Sequence, residues 1–164
     1  YENKVGVMTN APSFDWHITN LRQYMNATPV QPTSANWSDL ELTPLGSATG
    51  GIGLPGDFSS PSRFVRVAFL RAQILMEDIE NDGIIEFFHI LNNVAMVKGS
   101  VITKDGKDEI TQYSSCMNLE KGLYYYKSYN NNQINMLDMH KEDLDGSEMK
   151  IFPYNDIQVV NTLN

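Results

Sequence analysis

The chain has 164 residues, a length that fits one domain or a large piece of one. Hydrophobic residues make up 41% of it and charged residues 20%, which excludes the disordered and collagen-like classes. Lys and Arg total 12 against 20 Asp and Glu; the net charge of -8 repels phosphate backbones, so neither nucleic acid nor an anionic membrane is expected as a partner.

The first residues show no charged region followed by an apolar one, so they are no signal peptide. Val5, Val7 and Thr9 alternate with Gly6 and Met8, which predicts a strand ended by the turn residues Asn10-Ala-Pro-Ser. A chain that opens at Tyr1 inside strand-like sequence is expected to be part of a longer polypeptide. Asp15–Tyr24 predicts a short helix, with Ile18, Leu21 and Arg22 at helical spacing from Phe14 and Ser13 as its cap. Residues 26–56 show no sustained periodicity and read as a long loop, of the kind that is commonly functional or interfacial. Ser60–Glu80 predicts the clearest helix, with Ser60 at the N-cap, Pro61 in the first turn and an inward stripe of Phe64, Val67, Ala68, Leu75 and Ile79. Asn81-Asp-Gly is expected to end it. A second amphipathic helix is predicted over Ile84–Val97, with Ile84, Phe87, Phe88, Leu91 and Val94 on one face.

From Ser100 the pattern changes to period two. Strands are predicted at 101–103, 110–117, 123–129 and 134–137, joined by Gly and Asn turns, with Lys150-Ile-Phe as a last edge strand. The order of elements predicts an α+β fold in which helices pack on an antiparallel sheet. Tyr124 and Tyr126 lie opposite Leu123 and Tyr125 across the sheet. Both faces are therefore apolar, and cover from outside the chain is expected.

Most motif-like segments have plain structural readings. Gly51-Ile-Gly-Leu-Pro-Gly56 matches the dinucleotide fingerprint by letter. No buried strand precedes it and Pro55 interrupts it, so a structural glycine loop is expected. Lys141–Asp145 with Gly146 imitates a calcium loop, but Lys141 and Phe152 fall where carboxylates are required. His17, His89 and His140 have no ligand-like spacing with one another or with Cys116, and His89 is expected in the core. Cys116, the single cysteine, cannot form an internal disulfide and reads as an inert mid-strand thiol. A chain without disulfides slightly favours the cytoplasm and does not fix localisation. Asn26-Ala-Thr and Asn36-Trp-Ser are glycosylation sequons of a kind frequent by chance. No cofactor and no metal are implied.

Asn10 and Arg63 stand apart from these. Asn10 falls just past a predicted strand end, where a rigid base can present a polar group. Arg63 falls in the first turn of its helix, where the helix dipole opposes a cation by ~0.3–1 kcal/mol, so helix stability does not account for it.

Two blocks of the sequence carry a resemblance. Val5-Gly-Val-Met-Thr-Asn-Ala-Pro-Ser-Phe-Asp-Trp-His-Ile-Thr-Asn-Leu-Arg and Gly50-Gly-Ile-Gly-Leu-Pro-Gly-Asp-Phe-Ser-Ser-Pro-Ser-Arg-Phe-Val-Arg resemble the penicillin V acylase and bile salt hydrolase family, the choloylglycine hydrolases. Tyr113-Ser-Ser-Cys, Gly122-Leu-Tyr-Tyr-Tyr and Asp138-Met-His-Lys-Glu-Asp-Leu are similar to that family's C-terminal strands. The resemblance implies that residues 1–164 are the C-terminal portion of one such domain, an N-terminal-nucleophile hydrolase with an αββα sandwich that cleaves linear amide C–N bonds. It implies a mature N-terminal cysteine as nucleophile, with its own α-amino group handling the proton. It places Asn10 on the family asparagine of the oxyanion hole and Arg63 on the arginine beside the nucleophile. The nucleophile and its accompanying arginine and aspartate have no match here. A missing N-terminal half is therefore the expected partner, and the chain alone is expected to be inactive. The resemblance also implies a homotetramer assembled through the Gln23–Leu45 region, and a small-molecule acyl-amide substrate of the penicillin V or conjugated bile acid type, with a lean to the former. The competing expectation is a non-catalytic binding or assembly module that kept the fold without the nucleophile.

Overall fold

The computed structural model describes residues 2–77 and 79–164, apart from the side chains of residues 79–81. Tyr1 lies outside that description, and so does the expected packing of the Ile79 side chain; the helix expected to run to Glu80 ends instead at Gln73, and Glu80 belongs to the next helix. The chain divides into two units, Tyr1–Glu77 with Asn92–Val94 and Asp78–Leu91 with Ala95–Asn164. Helices and antiparallel sheets together make the α+β class that the sequence predicts.

The first unit carries α1 (Phe14–Leu21), a 3-10 turn at Arg22–Tyr24, β1 (Ala35–Trp37), β2 (Leu40–Leu42) and α2 (Ser60–Gln73). Its core is built on α2. Phe64 and Ala68 bury one helical stripe against Val7, and Val5, Phe14, Ile18, Leu21 and Val67 pack around them. Phe14 meets Phe64 edge-on, with ring centroids 6.3 Å apart. Val65 is buried as well, whereas Leu75, expected on the stripe, is exposed because α2 ends at Gln73. The N-cap is Ser59 and not Ser60: the Ser59 hydroxyl accepts from the Ser62 N–H. Ser13 occupies the N-cap of α1 without a side-chain hydrogen bond.

The predicted strand at Val5–Thr9 keeps its alternation but has no ladder among the described residues. Val7 is buried and Met8 is 79% exposed, yet no neighbouring strand pairs with them. The segment is instead tied by side chains. Arg71 Nη1 donates to the Val5 carbonyl at 2.9 Å, and Asn3 Nδ2 donates to that of Val7 at 3.1 Å. Glycine suits position 6 in this arrangement. Its φ is 66°, and a Cβ there would lie 2.6 Å from the Arg71 guanidinium carbon. The long loop contains a short hairpin that the sequence does not reveal, with Ala35 opposite Leu42 and Trp37 opposite Leu40. In the glycine-rich segment, Gly50 and Gly51 lie against residues 28–29. A Cβ on Gly50 would fall 2.1 Å from the Pro29 carbonyl oxygen, and the Gly51 N–H donates to Thr28 O at 2.7 Å.

The second unit carries α3 (Ile79–Asn92, its last residue in the first unit), β3 (Tyr113–Asn118), β4 (Leu123–Ser128) and β5 (Asn135–Asp138). The predicted terminator Asn81-Asp-Gly lies inside α3, so this helix starts earlier than expected and ends at Asn92, before Val94. Phe88 is its buried anchor; His89, expected in the core, is exposed. The sheet order is β3-β4-β5, antiparallel throughout, with Ser115 opposite Tyr126 and Tyr124 opposite Leu137. Residues 101–103 form a single bridge between Ile102 and Asp108 in place of a strand, and Lys150-Ile-Phe is no strand.

The two faces of this sheet are covered differently. On the Leu123, Tyr125 and Lys127 face, the Lys127 ammonium sits 5.2 Å from the Phe88 ring centre. On the Tyr124 and Tyr126 face, the tail after Phe152 crosses the sheet. Tyr154 stacks on Tyr126 at 6.0 Å, and the Asn155 N–H donates to the Tyr126 hydroxyl. The fully buried Asn131 joins this tail to the β4–β5 loop through the Asn155 carbonyl.

Candidate active site at the start of helix α2

The core of the first unit holds the segment through Val7 against α2. Two residues further on, Thr9 and Asn10 therefore reach the first turn of that helix. Three donor atoms lie within 3.1 Å of Asn10 Oδ1: Arg63 Nη2 at 3.0 Å, Ser60 Oγ at 3.0 Å and Thr9 Oγ1 at 3.1 Å. A guanidinium can only donate, so the atom facing Arg63 must be the oxygen. The amide nitrogen Nδ2 points the other way, with no protein partner among the described residues. Asn10 is exposed and Arg63 half-buried. The structure thus brings together the two residues singled out in the sequence, although no strand precedes Asn10.

Arg63 is held at both ends. Its Nε donates to the Phe58 carbonyl at 3.1 Å while Nη2 engages Asn10. A second arginine, one turn along, clamps the same loop. Arg66 Nη1 donates to the carbonyls of Pro55 and Asp57 at 2.8 and 2.7 Å, and its Nε donates to Asn93 O at 3.2 Å. The Asp57 carboxylate accepts from the Ser59 N–H at 2.8 Å and from the Ser62 hydroxyl. Hydrogen bonds from Ser59 and Ser62 hold its pKa down at about 2. The result is a preorganised corner. One neutral amide presents its N–H2 outward beside a fixed cation that retains further N–H donors.

The remaining candidates fall elsewhere. His17 is 1% exposed, stacked on Phe64 with centroids 4.5 Å apart, and neither ring nitrogen has a hydrogen-bond partner among the described residues. His140 abuts Gly122 in the second unit. Cys116 lies in β3, where burial raises its pKa above the ordinary thiol value and so disfavours the thiolate. Sequence reasoning missed Ser60 and Thr9 as partners of Asn10. Their signal is slight: two adjacent serines before a proline, of which the cap uses only one.

The sequence matches the model of the linear amide C–N hydrolases, choloylglycine hydrolase family, over residues 1–152. It is 53% identical over 164 residues to the bile salt hydrolase/transferase of Clostridium perfringens (strain 13 / Type A), covering 100% of this chain and 50% of that protein. The crystal structure of a variant of the conjugated bile acid hydrolase from Clostridium perfringens matches with a TM-score of 0.89 and 54% identity, over 99% of this chain and 49% of that one. The penicillin V acylase from Agrobacterium tumefaciens shares the fold, with a TM-score of 0.57 and 22% identity over 82% of this chain and 36% of that one. The protein belongs to the choloylglycine hydrolase family. It spans about half the length of the curated relatives it matches.

Proposed function

We propose that this chain is the C-terminal portion of a choloylglycine hydrolase domain and forms the oxyanion-binding side of an active site that hydrolyses linear amide C–N bonds. The observation that carries this reading is the direction of the Asn10 amide. Its oxygen is taken up by Arg63 and a hydroxyl, so the N–H2 is the part offered to a reacting carbonyl. In this reading an N-terminal cysteine thiolate, supplied by the family's nucleophile portion, attacks the amide carbon, and its α-amino group takes the thiol proton. The carbonyl oxygen becomes an oxyanion and receives the Asn10 N–H. Collapse breaks the C–N bond, the α-amino group returns the proton to the leaving nitrogen, and water then cleaves the thioester. The Arg63 cation favours the thiolate. Cys116 does not serve as the nucleophile: it is internal, has no free α-amino group and sits in β3 with a raised pKa.

The substrate class supported best is the conjugated bile acids. The relatives at 53% and 54% identity carry that activity in their names, while the likeness to the penicillin V acylase, at 22%, extends to the fold alone. This turns the lean of the sequence reading away from penicillin V. Assembly into a homotetramer through the Gln23–Leu45 region is part of the same proposal. Its support is the exposed apolar surface of the hairpin, where Trp37 is 74% and Leu40 61% exposed.

The test is hydrolysis of a glycine-conjugated bile acid by the polypeptide that joins this chain to the nucleophile portion. Asn10→Ala is expected to lower kcat by ~10²–10³ while the circular dichroism spectrum and unfolding midpoint stay in place. Undiminished turnover in that variant removes Asn10 from the mechanism and this reading with it.

A further inference from the structure

We propose that Ser60 is a positioning residue for the reaction, fixing the Asn10 amide in the orientation that presents its N–H2 to the oxyanion; this rests on the oxyanion reading of Asn10 given above. Ser60 opens α2 but is not needed to cap it, because Ser59 occupies the N-cap and accepts from the Ser62 N–H. Its hydroxyl turns instead toward the Asn10 segment. Ser60 Oγ lies 2.6 Å from Thr9 Oγ1 and 3.0 Å from Asn10 Oδ1, and it accepts from the Ala11 N–H at 3.2 Å.

One assignment of the protons satisfies every group in this cluster. A serine hydroxyl has one proton to give and two lone pairs to fill, and an amide oxygen has two lone pairs. With the Ser60 proton on Asn10 Oδ1, the lone pairs of Ser60 accept from the Thr9 hydroxyl and the Ala11 N–H, and Oδ1 is filled by Ser60 and Arg63. No hydrogen-bonding capacity at either oxygen is left over. Three consecutive residues, Thr9 to Ala11, are thereby bound to one hydroxyl on a helix that the core already fixes. Removing that hydroxyl leaves Oδ1 to the Arg63 contact and the weaker Thr9 contact, and it frees the backbone at Ala11. The side-chain amide then samples rotations in which N–H2 no longer faces the reacting carbonyl. The loss falls on the transition state, where the oxyanion exists, and not on ground-state binding.

The experiment measures kcat and KM for a glycine-conjugated bile acid with the joined polypeptide, rates being normalised to reactive nucleophile by thiol titration. Ser60→Ala is expected to lower kcat about tenfold with KM within about twofold. Combined with Asn10→Ala, it is expected to slow the enzyme no further than Asn10→Ala alone, because Ser60 acts only through that amide. The isosteric pair Ser60→Thr and Ser60→Val isolates the hydroxyl and serves where Ser60→Ala does not fold: Thr is expected to keep kcat within about twofold of the parent while Val falls tenfold. Wild-type kcat in Ser60→Ala, equal rates in the Thr and Val variants, or a full additional loss in the double variant overturns the proposal. Wild-type kcat in Asn10→Ala is a different result, which overturns the oxyanion reading itself.

Discussion

Arg63 stands at the end of a helix that repels it. In the first turn of α2 the backbone N–H groups carry the positive end of the helix dipole, and a cation there costs ~0.3–1 kcal/mol. The structure sets Asp57 beside this helix start, two residues before the N-cap, where its carboxylate accepts from the Ser59 N–H and the Ser62 hydroxyl. Asp57 is therefore a support of the site at one remove. Its pKa is lowered from the ordinary 3.8 to about 2 by hydrogen bonds from Ser59 and Ser62. A depressed carboxylate pKa means that the folded form binds its proton less tightly than the unfolded chain. The stabilisation is complete above about pH 4 and is lost as pH falls from there toward 2. Asp57→Asn is thus expected to lower the urea unfolding midpoint at pH 6, with the gap to the parent closing as pH drops below 4. A gap that stays constant down to pH 2 means that the carboxylate does not hold this turn.

At the scale of elements, the β1–β2 hairpin makes the sharpest prediction. Two three-residue strands with every side chain exposed do not hold together well in water by themselves. The apolar side chains on them, Trp37 and Leu40 among them, are what an interface between copies would bury. Replacing Trp37 and Leu40 together by Ala in the joined polypeptide is expected to shift sedimentation to a smaller species while turnover per nucleophile is kept. An unchanged assembly removes the hairpin from the interface. The sequence left this hairpin unread because its turn lacks the usual Asn-Gly signature; Ser38 adopts φ 54°, a conformation that glycine would ordinarily supply. The helices were legible where apolar spacing meets a core, as at Phe64 and Ala68. Their ends were not, because Asn81-Asp-Gly carries the composition of a terminator yet lies inside α3. The same one-residue uncertainty hid the role of Ser60. Reading it as the cap assigns its hydroxyl to the helix, and only the observed register, with Ser59 capping, releases it to Asn10. Asn10 and Arg63 were legible because family resemblance places both. Their meeting at 3.0 Å depends on packing around Val7 that no local pattern encodes.

Over the whole molecule, apolar burial is sparse. Among the described residues the buried hydrophobic side chains are Val7, Phe64, Val65, Ala68 and Phe88, while Ile52, Leu75, Met117, Leu119, Ile151 and many others stand exposed. Burial of apolar surface is the main term that offsets the conformational entropy of ordering a chain. Five buried apolar side chains among the described residues leave the chain by itself with little margin. The relatives it matches are about twice as long, and the remaining half of the family fold is the surface these residues are proposed to face. Residues 1–164 expressed alone are accordingly expected to bind a hydrophobic dye, to unfold over a broad temperature range and to hydrolyse no bile acid conjugate. Joined to the nucleophile portion, the same residues are expected to unfold in a sharper transition at higher temperature and to release glycine. The net charge of -8 opposes aggregation of the separate chain, so calorimetry and dye binding can compare the two forms under one set of conditions. A sharp transition in the chain alone, left in place when the nucleophile portion is joined, would show that the exposed apolar surface is not a surface for that half.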